Sequence, residues 1–309
     1  MFSPDFNTFE KNFKGGKTQL LTHVIPADMD TPVSAYLKLC GHEKHGFLFE
    51  SVEGGKTLGR YSIIGLDPDL IWTCEDGKVS VTANNETNII DGDALTLLRT
   101  YIEANKIDEY ASNLPPMAVS GLFGYLGYDM VRLIEDIPSE NPDDLEIPDS
   151  ILIRPTILVI FDNVKNDIII VTPIYNHANN CVQSAKDIHD LATKRLRQAI
   201  DKLDSALSHD LKTATSNIQT PLNVSSNMSE DEYKGAVTKA INYIKQGEIF
   251  QVVPGQRFSV DFDLHSFELY RSLRRMNPSP FMFHLTFDGF SIVGSSPEIL
   301  VRVRDNTVT

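Results

Sequence analysis

The sequence predicts an α+β fold, with antiparallel β-sheets packed together and helices outside. That expectation rests on strand signals that come in pairs around short turns, on a long helical stripe between them, and on one hairpin too apolar to leave either face in water. Asp69–Cys74 and Lys78–Ala83 flank Glu75-Asp76-Gly77, a hairpin turn whose glycine supplies the positive φ that the turn demands. Ile157–Asp162 and Ile168–Pro173 flank Asn163–Asp167 and read as a second hairpin, nearly continuous in apolar residues and so expected to be buried on both faces.

Between these hairpins, Ser120 to Asp129 places glycine at every third position among aromatics. It lacks the GxGxxG phosphate fingerprint and any basic companion, which favours close backbone packing in a sheet over ligand contact. Asn179 to Leu207 then carries Cys181, Ala185, Ile188, Ala192, Leu196, Ala199 and Leu203 at helical steps, one apolar stripe with charges opposite. Ser208–Met228, rich in Ser, Thr and Asn, reads as a linker. The expected organisation is an N-terminal domain over 1–207, a linker over 208–228 and the start of a second domain over 229–309.

The second segment opens on a capping-box pattern, Ser229 with Glu232, in which each side chain can satisfy the other's backbone N–H. Tyr233, Val237, Ala240, Ile241 and Ile244 line one face, and Gly247 stands where a helix end wants positive φ. A strand over Ile249–Val253, a helix over Ser266–Arg275 and a hairpin of Phe281–Phe287 with Phe290–Val293 around Asp288-Gly289 follow. Ile299–Arg304 reads as a strand turning at Asp305-Asn306 into Thr307-Val308-Thr309. A return strand that short is expected to be cut off rather than finished.

Composition narrows the function classes. With 28 basic against 42 acidic residues the formal charge is −14, which argues against nucleic acid or an anionic membrane as main partner but leaves room for an anionic small substrate. No stretch has the apolar length of a membrane span. Cys40, Cys74 and Cys181 are odd in number and lie far apart, with no CxxC pair, so they read as small buried residues in a reducing compartment. With no secretory signal at the N-terminus, a cytoplasmic location is expected. The eight histidines are scattered and read as structural or exposed. No GxSxG, P-loop, HExxH or dinucleotide motif is present.

Two segments could carry chemistry. Met276-Asn277-Pro278-Ser279-Pro280-Phe281-Met282-Phe283 joins a helix to a strand through two prolines, either as a plain connector or as a rigid wall for an aromatic ligand. Gly294-Ser295-Ser296-Pro297-Glu298 offers a carboxylate at a bend, either a general acid or a solvated turn residue.

Several segments together resemble the chorismate-utilising enzymes, specifically the anthranilate synthase large subunits (component I). Leu48-Phe49-Glu50-Ser51 is similar to the family's LLES motif, and Gly59-Arg60-Tyr61-Ser62-Ile63-Ile64-Gly65 to its RYSIIG. Gly121–Asp129 is similar to GLFGYLGYD, and Gly247–Pro254 to the opening of the catalytic domain. Asn277–Phe283 resembles NPSPYMF with Phe281 for Tyr, and Gly294–Glu298 resembles GASPE with Ser295 for Ala.

The resemblance implies an anthranilate synthase-like fold whose catalytic domain lacks its C-terminal part. It implies that chorismate and ammonia become anthranilate and pyruvate, with ammonia from a glutamine amidotransferase partner in a hetero-oligomer, and with Mg²⁺ on ligands in the missing part. Glu298 matches the general acid. Gln251 matches a position where isochorismate-forming relatives carry a water-activating lysine. Ser51, Glu50, Pro280, Phe281 and Met282 match the site where tryptophan exerts feedback. Lys56 and Arg60 lie close by in sequence but are given no role there. Two alternatives are the large subunit of aminodeoxychorismate synthase, which shares the ammonia step, and a non-catalytic tryptophan-binding module.

Overall fold

A strand of 19 residues, β3 (Thr57–Glu75), organises most of what surrounds it. The computed structural model describes residues 1–41, 44–53, 57–108, 110–111, 114–115, 121–139, 142–175, 184–207, 223–304 and 307–309. Contacts divide the chain into one compact unit of residues 1–212 with 266–309, and a second of residues 213–265. Residues 266–309, expected from chain order to belong with 229–265, thus pack with the N-terminal part.

In the first unit, α1 (Phe6–Lys14), β1 (Gln19–Pro26) and α2 (Pro32–Leu39) precede β2 (Phe47–Glu53) and β3. Then come β4 (Lys78–Ala83), β5 (Glu86–Ile90), α3 (Ala94–Ala104), β6 (Phe123–Leu126), a 3₁₀ turn at Tyr128–Leu133, β7 (Ser150–Asp162), β8 (Asp167–Ile174) and α4 (Ala185–Asp204). Among the described residues these strands form one antiparallel sheet of ten with β11 (Phe281–Thr286) and β12 (Ser291–Ser296). Its order is β1-β8-β7-β3-β2-β11-β12, with β4 beside β3, β5 beside β4 and β6 beside β7.

Both predicted hairpins are present. Glu75 pairs with Lys78 around Asp76 and Gly77, whose φ of 49° and 73° give the turn its hand. Every residue of β7 is buried, as is all of β8 after Asp167, as expected of a hairpin covered on both faces. The glycine run does what close packing requires. A Cβ on Gly124 would stand 1.9 Å from the Ile151 carbonyl oxygen, and one on Gly127 2.7 Å from that of Asp149, whereas Gly121 faces open space.

On one face of the sheet, Leu21, Leu48, Ile64, Val159, Ile170 and Met282 meet the helices, among them Phe9, Tyr36, Leu196 and Leu203. The helix over 179–207 is realised as α4, its start set by a Ser184–Asp187 capping box, with Ala192, Leu196, Ala199 and Leu203 buried. Each leucine buried in that stripe contributes roughly 1.5–3 kcal/mol. Cys181 lies outside the described residues, and Cys40 and Cys74 are buried free thiols. The other face is aromatic, with Phe47 stacked on Phe49 and Phe123, and Tyr125 edge-on to Phe287. A third cluster gathers around Trp72, which is fully buried beneath α3.

In the second unit, β9 (Ser225–Ser226) pairs with β10 (Phe258–Ser259), and α5 (Glu230–Gln246) lies between them in sequence. α5 has the expected Ser229–Glu232 capping box and ends at Gly247 with φ 81°. None of its residues is buried: Ile241 is 46% and Ile244 45% exposed. The strand expected over Ile249–Val253 does not form. A strand needs a neighbouring ladder, none is present there among the described residues, and Phe250 is 94% exposed. Linker residues 208–222 lie outside the described set.

Back in the first unit, the last helix, α6 (Ser266–Met276), and the β11–β12 hairpin match their predicted spans closely. The final strand is shorter than expected, with Val303–Arg304 (β13) pairing with Thr307–Val308 (β14). Ile299–Arg302 stays outside the strand, and the turn residues Asp305 and Asn306 lie outside the described set. No helix among the described residues is long and apolar enough to cross a membrane.

Two glycines of the same motif should respond oppositely to one methyl group. Gly124→Ala is expected to lower unfolding free energy by about 3 kcal/mol, the upper range for overpacking against backbone that cannot yield, and Gly121→Ala by less than about 0.5 kcal/mol. Urea titrations of both variants check this; equal losses would refute the packing role of Gly124.

Candidate functional site

β2 owes its place to hydrophobic alternation. Phe47 and Phe49 turn to the aromatic face, Leu48 and Glu50 to the helical face. Glu50 is therefore carried into the interior, where its side chain is fully shielded from solvent. The charge is met by α6. Arg274 donates from Nε to Glu50 Oε2 at 2.7 Å and from Nη2 to Oε1 at 3.0 Å, and Tyr270 Oη donates to Oε2 at 2.6 Å. Tyr270 and Arg274 are four residues apart, so they project from one side of α6.

Burial pushes the Tyr270 hydroxyl pKa well up, and the Glu50 charge adds to it, so Tyr270 stays a donor. Desolvation works to lower the Arg274 pKa, but the hydrogen bond to Glu50 and its charge outweigh it and leave the pKa raised. Ser62, opposite Glu50 on β3, is also fully buried, and its hydroxyl finds no hydrogen-bond partner among the described residues.

Met282 pairs with Glu50 across β11 and β2 and is 1% exposed on the same helical face. Phe281, next along β11, turns to the other face and is 41% exposed, and Ser51, at a register shift in the β2–β3 pairing, is half-buried. Pro280 precedes β11 and is half-buried. The residues matched to the feedback site are thus brought together at one place but split between two faces. The β2–β11 ladder ends at the Glu50–Met282 pair, and beyond it the strands are not bonded to each other.

Ser51 rests on a glycine. A Cβ on Gly59 would stand 2.4 Å from Ser51 Cβ and 2.5 Å from its Oγ. Arg60 is engaged elsewhere, its guanidinium on Asp162 at 3.0 and 3.2 Å, and Lys56 lies outside the described residues.

The Gly294–Glu298 bend leaves β12 close to the same helix. Ser295 Oγ donates to the carbonyl of Asn277, just past α6, at 2.6 Å. Gly294 is required by Phe283, whose ring lies where a Cβ would be, 2.1 Å away. Glu298 is solvent-exposed, with its carbonyl accepting from Ser296 Oγ at 3.0 Å. Gln251 is exposed in the second unit.

His284 is a core histidine, as expected of a scattered set. It is fully buried among Tyr36, Phe267 and Tyr270, with its ring within 3.0 Å of Ser266 Oγ. Surface grooves of about 510 and 450 Å³ run along α4, lined by residues such as Asp67, Thr156 and Arg195, and His189, Thr193 and Arg197. Neither includes a residue singled out from the sequence. Among the described residues no group of three or more His, Cys, Asp or Glu side chains could hold a metal ion.

Residues 48–309, which take in β2 from Leu48 onward together with α6, β11 and β12, match the chorismate binding enzyme family. The chain belongs to that family. Similarity to anthranilate synthase component 1 supports the resemblance read from the motifs. The protein of that name from Cereibacter sphaeroides is 43% identical over 98% of this chain and 60% of its own length. The one from Synechocystis is 35% identical over 98% and 60%. The crystal structure of anthranilate synthase component I from Streptococcus pneumoniae superposes with a TM-score of 0.66 at 28% identity, covering 92% of this chain and 59% of that one. The predicted mixture of helices and antiparallel sheet is therefore the fold of this family member. The chain spans about 60% of the length of the curated relatives it matches.

Tyr270, Arg274 and Ser62 were not legible as site residues, although the four-residue spacing of Tyr270 and Arg274 on a predicted helix was the available signal. Arg274→Ala should lower unfolding free energy by about 3 kcal/mol, because it strands a buried carboxylate. Tyr270→Phe, removing one hydrogen bond, should cost about 1 kcal/mol. Urea unfolding of both variants decides; a loss below that of Tyr270→Phe for Arg274→Ala would mean the ion pair is not what holds Glu50.

Proposed function

We propose that this chain is the regulatory and partial catalytic portion of an anthranilate synthase large subunit. What carries the reading is the 43% identity to a protein of that name over 98% of the chain. In this reading ammonia adds to chorismate as the ring hydroxyl leaves, and pyruvate is then eliminated to give anthranilate. The ammonia comes from glutamine through a partner amidotransferase. Hydroxide is a poor leaving group, so a general acid must protonate the departing oxygen and release water. Glu298 is proposed for that role. Gln251 fits an ammonia-using site, because an amide cannot serve as the base that would activate water in competition.

Mg²⁺ is proposed for the complete enzyme. The described residues supply no cluster to hold it, so no step here is routed through the metal. The location is proposed to be cytoplasmic.

Tryptophan is proposed as the feedback ligand at the open end of β2 and β11. Pro280, Phe281 and Met282 offer apolar surface and a polarizable sulfur to an indole, and Ser51 and Glu50 offer polar atoms to its amino-acid end. Gly59 gives Ser51 its room, so a larger side chain at 51 has nowhere to go without moving β3. The two alternative readings, aminodeoxychorismate synthase and a tryptophan-binding module, gain no observation of their own.

Two outcomes are expected. The purified chain with chorismate, Mg²⁺ and ammonium should form no anthranilate; a rise in anthranilate fluorescence would sink the idea that its catalytic machinery is partial. Ser51→Phe should weaken tryptophan binding by about tenfold or more, some 1.4 kcal/mol, by calorimetry. Wild-type affinity in that variant would remove Ser51 from the site.

A further inference from the structure

The larger of the two grooves along α4 is built where β3 and β7 lose register. There Asp67 stands at a left-handed φ of 50°, and Thr156 donates its hydroxyl to the Asp67 carbonyl at 2.6 Å. Asp69 is held at 2.7 Å by Arg154, which is 9% exposed and lies over the Tyr175 ring. The sheet wall of the groove is therefore fixed, and of its two carboxylates Asp69 is matched by a cation while Asp67 is not. The other wall is α4. Leu191, Lys194, Arg195 and Gln198 fall at i, i+3, i+4 and i+7 on one face, beside the apolar stripe that enters the core.

Opposite charges thus line one groove of about 510 Å³ without meeting. Among the described residues neither Lys194 nor Arg195 is ion-paired, and the Asp67 carboxylate has no hydrogen-bond partner. In a chain with 42 acidic residues to 28 basic ones, two adjacent cations without a carboxylate are the unusual feature. The charges left unmatched describe the ligand. They are one carboxylate and two cations, so the complement is a molecule with one ammonium and two carboxylates. Pro68 and Leu191 offer apolar surface to the methylenes between them, and Gln198 adds an amide. We propose that this groove binds an amino dicarboxylic acid, its ammonium on Asp67, one carboxylate on the Arg195 fork and the other on Lys194. A dicarboxylate without the amine meets Asp67 as a like charge, so the site discriminates by charge as well as by attraction. None of the residues proposed for tryptophan lines the groove, and the inference stands without that reading.

The test is calorimetry on the full 309-residue chain, at constant ionic strength because salt screens exposed charges. The probes are L-glutamate and glutarate, which lacks the amine. Wild type should bind L-glutamate about tenfold more tightly than glutarate, the worth of one charge-assisted contact. Asp67→Asn removes the charge and keeps the backbone, since asparagine accepts a left-handed φ. It should weaken L-glutamate until the two probes bind within about twofold of each other. Arg195→Gln should weaken both probes by about tenfold, because both carry the carboxylate that the guanidinium would hold. No binding of L-glutamate by wild type, equal affinity for the two probes, or a preference that survives Asp67→Asn overturns the site. Wild-type affinity for both probes in Arg195→Gln overturns it equally.

Discussion

The ladder between β3 and β7 is the constraint on which the first unit hangs. The two strands pair from Tyr61–Asp162 to Cys74–Ser150, interrupted by a register shift between Pro68 and Leu70. At that shift Asp67 takes a left-handed φ of 50°, Thr156 donates its hydroxyl to the Asp67 carbonyl, and Arg154 holds Asp69 at 2.7 Å. The shift divides one pair of long strands into two neighbourhoods. On one side of it β3 and β7 accept β2 and β8, and on the other they accept β4 and β6. Because side chains alternate along each strand, a single ladder presents one row to the helices and another to the aromatic cluster. β2 has its face decided by β3, and Glu50 inherits an interior position from that pairing alone.

An interior carboxylate must be met by a cation and hydrogen bonds, or it will not stay charged. α6 supplies both from one side, across more than two hundred residues of chain. Such a pair contributes little net stability relative to an apolar substitute, but it specifies which helix docks on which strand. Residues 266–309 pack with the N-terminal part through this pair, the β2–β11 ladder and the burial of Phe267, Tyr270 and Met282 in the core. The arrangement also brings the connector at Asn277–Pro280 to the end of β2. Residues remote in sequence are thus joined by electrostatics before any ligand is considered.

What was legible follows from locality. Hairpins, capping boxes and helical stripes are set by neighbours a few residues apart, so Asp76-Gly77, Ser229–Glu232 and the Ala185–Leu203 stripe could be read directly. The short helices α1, α2 and α3 were missed. Each has an N-cap, at Asp5, Thr31 and Asp93, but they are eight to eleven residues long and their periodicity is brief beside the strand signals. The strand over Ile249–Val253 was over-read because an apolar run states a preference and not a partner. At the candidate site, motifs placed Ser51, Glu50 and Pro280–Met282 together, but the division of those residues between two faces needed the register of β2 against β11. The spacing of Tyr270 and Arg274 puts both on one side of a helix, but their partner Glu50 is not legible, because a salt bridge between distant segments leaves no local pattern.

The two candidate regions of this chain, around Glu50 and around Glu298, differ in their surroundings. Around Glu50 the carboxylate is paired with Arg274 and Tyr270 and shielded from solvent, where electrostatic interactions are strengthened. Glu298 is solvent-exposed at a bend that follows β12. Ser295 ties that bend to the end of α6, and Gly294 is pinned beneath the Phe283 ring. The helix that balances the buried charge is also the one that positions the bend.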